Sequence, residues 1–132
     1  MDRLGVFRIR GAYAYRDLLS QNGWLANGSD FPVESINPLF GFYAAVARKD
    51  QNNFPEGGFE MKNALTRMEA LKAMTIWAAA ANFEDEVKGS IEIGKVADFV
   101  VLDRDIMTVA EEELFKATVE ATYINGEKVY DR

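Results

Sequence analysis

The stretch ANGSDFPVESINP, Ala26 to Pro38, presents one carboxylate in a setting built for presentation. Gly28 and Ser29 let the backbone turn sharply, and Phe31-Pro32 fixes the exit. At the C-terminal end of a parallel strand, Asp30 would stand where α/β barrels place catalytic groups. The competing reading is an Asp that caps the turn. Spacing alone leaves both open. The same stretch holds the sequon Asn27-Gly28-Ser29, but a strand end beside Trp24-Leu25 is a poor acceptor for a glycan.

The chain contains no histidine and no cysteine. That removes disulfides, thiolate nucleophiles, the commonest metal ligand and the usual general base near neutral pH. A His-dependent hydrolase cannot be complete in these residues. The other acidic groupings read as structure. Glu111, Glu112 and Glu113 are adjacent and cannot all converge on one ion. Asp98, Asp103 and Asp105 surround a strand and its exit without a calcium-loop pattern. Gly89-Ser90 and Gly94-Lys95 lack the spacing of a phosphate loop. The net charge is -6, and from Glu84 to Glu120 eleven acidic residues face four basic ones. That balance excludes nucleic acid as the expected partner and describes a solvated acidic face.

The elements that must position Asp30 can be read from periodicity and punctuation. YAYRDLLSQNG predicts a short helix, with Tyr15, Leu18 and Leu19 on one face and Asn22-Gly23 as its stop. WLANGSD reads as a short buried strand running into a turn. Asn37 caps a helix with Pro38 at its first position, followed by Leu39, Phe42, Tyr43 and Val46 at helical spacing. Residues 48–60 are a loop, of which 52–58 are a candidate for lining a site. Thr66 and Glu69 form a capping box, and the helix they open is expected to run to Ala81 with Leu71, Met74, Ala78 and Ala81 as its stripe. GSIEIGK reads as a strand with a tight turn after Ile93, and ADFVVLD as a strand buried on both faces. VAEEELFK is a short helical connection. Asn125-Gly126 closes a terminal hairpin. At 132 residues, 48% hydrophobic, one domain by size is expected. No apolar run reaches the ~20 residues of a membrane helix, and no secretory signal is visible, so the cytoplasm is the favoured compartment.

GSDFPV, NPLFGFYAAVAR, LTRMEALKAMTIWAAAANF, KGSIEIGKVADFVVLDRD and TYINGEKVY occur in that order. The ordered set resembles the C-terminal end of a metal-dependent amidohydrolase, closest to amidohydrolase family 3, which includes proteins labelled exoenzyme regulatory protein. The resemblance implies an eight-stranded α/β barrel carrying the active site and a small β-sandwich built from both ends of the chain. It puts Trp24 to Asp30 on the last barrel strand and Ile91 to Tyr130 in the sandwich. It makes Asp30 a catalytic and metal-binding residue, ligating the metal and taking a proton from the attacking water. The family's His ligands and bridging lysine lie upstream of the residues matched here.

The expected fold class is therefore α+β. Residues 1–86 would be a mainly helical remnant of the last βα unit of the barrel, and residues 87–132 the C-terminal part of the composite β-sandwich domain. The expected function is the C-terminal portion of a metal-dependent hydrolase acting on non-peptide carbon-nitrogen bonds, inactive in isolation. A divalent metal, zinc by expectation, belongs to the full-length parent, and none is expected tightly bound here. The alternative is a non-enzymatic folding or interaction module that associates through exposed strand edges. The expected partners are the upstream part of the parent and a second copy in a homodimer, with neither nucleic acid nor membrane involved.

Overall fold

The computed structural model describes residues 3–132. Helix α1 spans Gly5–Arg8 and leads into a 3₁₀ turn, Ile9–Gly11. Helix α2, Tyr15–Asn22, ends on Gly23 at φ 77, the left-handed stop its sequence announces. Helix α3, Pro38–Ala47, starts as expected: the Asn37 side chain accepts a hydrogen bond from the Leu39 amide and Pro38 occupies the first turn.

Helix α3 is the centre of the core. Leu39, Phe42, Tyr43, Ala45 and Ala47 are all buried on it, joined by Leu19, Leu65, Ala70, Ala73, Ile106, Leu114 and Ala117. The 3₁₀ segment Glu111–Lys116 packs on the same helix, with Tyr43 and Phe115 edge to face at 5.1 Å. Arg67 crosses to the segment before it and donates to the carbonyls of Ile106 and Val109.

The capping box forms as its sequence predicts. The Thr66 hydroxyl accepts from the Glu69 amide, and the Glu69 carboxylate accepts from the Thr66 amide. The helix it opens does not reach Ala81 as one piece. Helix α4 spans Arg67–Met74 and α5 spans Ile76–Ala81. Thr75 breaks them at φ -125, ψ -100, with its hydroxyl donating back to the Leu71 carbonyl at 2.6 Å. The Gly89 backbone is seated against the break. A Cβ there would lie 2.7 Å from the Ala79 Cβ and 2.9 Å from the Ile76 Cα. The buried stripe is correspondingly Ala70, Ala73 and Ala79 rather than Leu71, Met74, Ala78 and Ala81; Leu71, Met74 and Trp77 pack half-buried at its edge. Small residues let the backbones close up.

Two expected strands are absent. Residues 24–29 carry no regular secondary structure and lead into a turn at Asp30; their exposure alternates, but they form no ladder, and the Asn27 amide reaches the Ala73 carbonyl at 2.9 Å. A strand needs a pairing edge, and helices flank this one. Trp24 is accordingly exposed, not buried. Ile91 and Ile93 are also exposed and unpaired, although the turn after Ile93 is present.

The sheet has three antiparallel strands in sequence order: β1 Phe99–Leu102, β2 Val119–Ile124 and β3 Glu127–Asp131. Phe99 opposes Tyr123, their rings stacked at 4.5 Å, and Asn125-Gly126 turns the hairpin with both residues at positive φ. The expectation that β1 is buried on both faces fails. Val100 and Val101 are exposed, and Ala121 is the one buried residue of the three strands. β1 pairs on one side only, and no layer covers the sheet. The fold is thus α+β, with a closed helical core and an open sheet. The whole chain exposes 8947 Å², against about 7,000 Å² for a compact monomer of this mass. Among the described residues no helix is long and apolar enough to cross a membrane.

Two tests follow from this packing. The pKa of Glu69 is lowered to about 2, first by the Arg16 guanidinium and then by the capping-box donors, against partial burial that opposes the shift. A carboxylate depressed on folding stabilises above its unfolded value, and that gain disappears as pH falls from about 4.5 to about 2. Glu69→Gln should cost about 1–2 kcal/mol at neutral pH, after solvent screening is allowed for, and should flatten the acid limb of a urea-midpoint profile over that window. Gly89→Ala should cost about 2–4 kcal/mol in the same denaturation experiment, from positive-φ strain plus the clash with α5.

Candidate functional site

Segment 24–30, the cap of α3 and the loop after α3 enclose a cleft of about 530 Å³. Asn27, Gly28, Ser29 and Asp30 form one wall. Tyr43, Arg48, Lys49 and Asp50 form the floor and far side, and Phe54, Pro55 and Phe59 close the loop end. The loop at 48–60 is therefore part of the cleft wall, through Gln51, Phe54 and Pro55.

Asp30 lies exposed at this cleft, in the left-handed region at φ 52. The turn it begins is closed by main chain: the Val33 amide donates to the Asp30 carbonyl at 2.8 Å. Among the described residues no hydrogen bond or ion pair engages its carboxylate. Asp17 and Asp85 are likewise without a hydrogen bond or ion pair among the described residues, whereas four other aspartates hold backbone amides. Asp50 accepts from the amides of Asn52 and Phe54, Asp98 from Asn125, Asp103 from Thr118 and Asp105 from Met107. These four cap turns and strand ends. The Phe54 and Asn52 amides hold the Asp50 pKa below the usual carboxylate range.

The remaining charges around the cleft are mostly spoken for. Lys49 pairs with Glu111 at 2.8 Å, which raises the lysine's pKa. The Tyr43 hydroxyl donates to Asn53 at 2.7 Å, and burial raises its pKa. Glu34, also lining the cleft, has no hydrogen bond or ion pair among the described residues. Arg48 is different. It is 6% exposed, caps α3 in the left-handed region at φ 56, and stacks its guanidinium on the rings of Tyr15 and Phe59 at 5.1 and 5.4 Å. Its Nε donates to the Phe59 carbonyl at 2.9 Å, while Nη2 is buried without a partner. Burial lowers its pKa, opposed by Tyr15 and then Glu60. The site residue reading from sequence did not include Arg48. The usable signal was an arginine ending an apolar helix, PLFGFYAAVA, with no acid at helical spacing to pair with it.

Among the described residues no three of His, Cys, Asp or Glu converge as a metal site. Asp30 is one carboxylate, and one carboxylate does not hold a divalent ion. The residues present therefore do not by themselves fit the metal that the resemblance implies.

The motif residues Gly89, Ser90, Gly94, Lys95, Ala97 and Asp98 serve structure. The Ser90 hydroxyl donates to Glu92 and accepts from Lys95, and Glu92 pairs with Lys95 at 3.0 Å. Asp98 and the Ala97 carbonyl hold the amides of Asn125 and Gly126 at the hairpin turn.

Residues 1–130 match the model of a protein family described as the amidohydrolase family. The chain is 33% identical over its whole length to YtcJ of Bacillus subtilis (strain 168), covering 25% of that protein. It is 36% identical over 129 residues to the protein LONG AFTER FAR-RED 3 of Arabidopsis thaliana, which is 97% of this chain and 22% of the relative. It is 35% identical over 120 residues to the N-substituted formamide deformylase of Arthrobacter pascens, 91% of this chain and 22% of the relative. The chain thus spans about a quarter of the length of the curated relatives it matches. No solved structure matches it.

The two kinds of aspartate can be told apart by stability. Asp30→Asn, which keeps a side chain tolerant of positive φ, should leave the thermal midpoint unchanged, whereas Asp50→Ala should lower it by several degrees through loss of two amide bonds. A midpoint for Asp30→Asn as low as that of Asp50→Ala would make Asp30 a turn cap.

Proposed function

The chain belongs to the amidohydrolase family, and from that premise we propose that it is the C-terminal portion of a hydrolase acting on carbon-nitrogen bonds other than peptide bonds, with Asp30 as its contribution to the catalytic centre. The observation that carries this reading is the idle carboxylate of Asp30, set on a cleft wall while four other aspartates of the chain serve backbone amides. In the proposal Asp30 is a proton acceptor and one ligand of a divalent metal, zinc by expectation. The other ligands come from outside these residues. Segment 24–30 is the last strand of a barrel whose other strands are supplied by the upstream part of the parent. The isolated chain is inactive for the same reason.

The test uses a full-length parent and an N-substituted formamide as the first substrate, since one relative is named for deformylating that class. Asp30→Asn should lower kcat by about 10²–10⁴ or more with an unchanged circular dichroism spectrum. A variant that keeps most of its activity removes Asp30 from the catalytic centre.

A second reading, association through open surface, has its own support. Val100, Val101, Ile124, Val129 and Tyr130 are exposed on the sheet, and β1 and β3 each leave one edge unpaired. Without the upstream segment, a second copy can cover these strands about a two-fold axis. Sedimentation at micromolar concentration should show a homodimer. A clean monomer near 14.8 kDa refutes it.

A further inference from the structure

Asn-Gly pairs occur at Asn22, Asn27 and Asn125. An Asn followed by Gly is open to ring closure, because glycine has no Cβ to hinder attack by its amide nitrogen on the asparagine Cγ. The fold treats the three pairs differently. Asn22 is the last residue of α2, and the Gly23 amide donates to the Leu19 carbonyl at 2.8 Å. At the hairpin the Gly126 amide donates to the Ala97 carbonyl at 3.0 Å, and the Asn125 amide to the Asp98 carboxylate at 2.7 Å. An amide engaged in this way is not free to attack until its bond opens. Asn27 stands in segment 24–29, which has no regular secondary structure. Among the described residues the Gly28 amide meets no acceptor, and no hydrogen bond holds the Asn27 side chain. The Asn27 amide is the anchored group of the pair, on the Ala73 carbonyl. Asn27 and Gly28 both line the cleft wall that carries Asp30.

We propose that the fold singles out Asn27 for spontaneous deamidation, a modification that adds a carboxylate to the cleft wall. The Gly28 amide loses its proton to hydroxide, and its nitrogen attacks the Asn27 Cγ. The N–Cγ bond forms, the Cγ–Nδ2 bond breaks, and ammonia leaves with a proton from water, giving a succinimide. Water then opens the ring at either carbonyl. One opening gives aspartate. The other gives isoaspartate, in which the main chain runs through the former side chain and is longer by a methylene. The net change is amide plus water to carboxylate plus ammonium, with no oxidant, reductant or metal. Either product puts a negative charge three residues before Asp30, on a cleft that Asp30 and Glu34 already line. Isoaspartate also alters the path of the segment that presents Asp30. The change is read as a mass, so it stands or falls apart from the catalytic reading of Asp30.

The test is peptide mapping with fragment-ion localisation, after the chain is held at mildly alkaline pH and body temperature. In the folded chain Asn27 should convert about tenfold faster than Asn22 or Asn125, the factor set by having to open one backbone hydrogen bond first. In strong urea, where no amide is held, the three rates should converge. Gly28→Ala places a Cβ in open space at a φ outside the left-handed region, so the fold tolerates it, yet it should slow conversion at Asn27 alone. Conversion in the folded chain that is led by Asn22 or Asn125, or is equal at the three sites, overturns the proposal. So does an Asn27 that stays intact in the folded chain while it converts in urea. An Asn27 lead of the same size in urea overturns it too, because the preference then belongs to the local sequence and not to the fold.

Discussion

The Glu69 carboxylate is the joint on which the helical half of this chain depends. One oxygen closes the capping box with the Thr66 amide and hydroxyl, and both oxygens receive the Arg16 guanidinium, at 2.6 and 2.8 Å. A third Arg16 bond, to the Ala64 carbonyl, ties down the turn that precedes α4. A single side chain thereby starts α4 and fastens α2 to it across 53 residues of sequence. The pair is partly exposed, and such pairs contribute little in isolation. Its value here comes from geometry: it fixes α2 and α4 relative to each other while α3 fills the core beside them.

That arrangement decides where the cleft can be. With α4 in place, Ala73 offers its carbonyl to Asn27, and the segment is pinned between helices rather than between strands. With α3 in place, its C-cap, Arg48, falls under Tyr15 of α2 and Phe59 of the following loop. The Phe59 amide returns to the Arg48 carbonyl at 2.7 Å, which closes that loop against the helix end. Asp30 and Arg48 reach the same cleft because both elements that carry them are held by the same helix pair.

Local signals in the sequence were legible where the local chain decides the outcome. The cap at Asn37-Pro38, the Thr66–Glu69 box, the Gly23 stop and the Asn125-Gly126 turn each satisfy their own backbone groups within a few residues. Signals that need a partner misled. WLANGSD and GSIEIGK have strand composition, but a strand is a pairing, and neither meets an edge here. ADFVVLD does pair, yet its valines stay exposed because burial is set by a second layer, not by the run itself. The break at Thr75 was hidden for the same reason: it depends on Gly89, fourteen residues on, lying against the start of α5. At the cleft, the turn that begins at Asp30 was legible. Arg48 was not, because its lack of a carboxylate partner is a property of the assembled core.

The two halves of the chain differ in how completely they use their groups, and the difference is informative. In the helical half Arg16, Arg67, Lys49 and Asp50 are engaged, while the buried side-chain amide of Asn63 has no partner among the described residues. Among the described residues Asp30 and Arg48 are in no ion pair. Both sit on one concave surface, one as an open carboxylate and the other as a shielded cation. The sheet shows the same incompleteness in apolar form, with valines and isoleucines standing in water along its strands and edges. Exposed apolar residues scattered singly are ordinary, but a whole sheet without a covering layer is not. The chain's packing is closest in the helical core and open at the cleft and along the sheet.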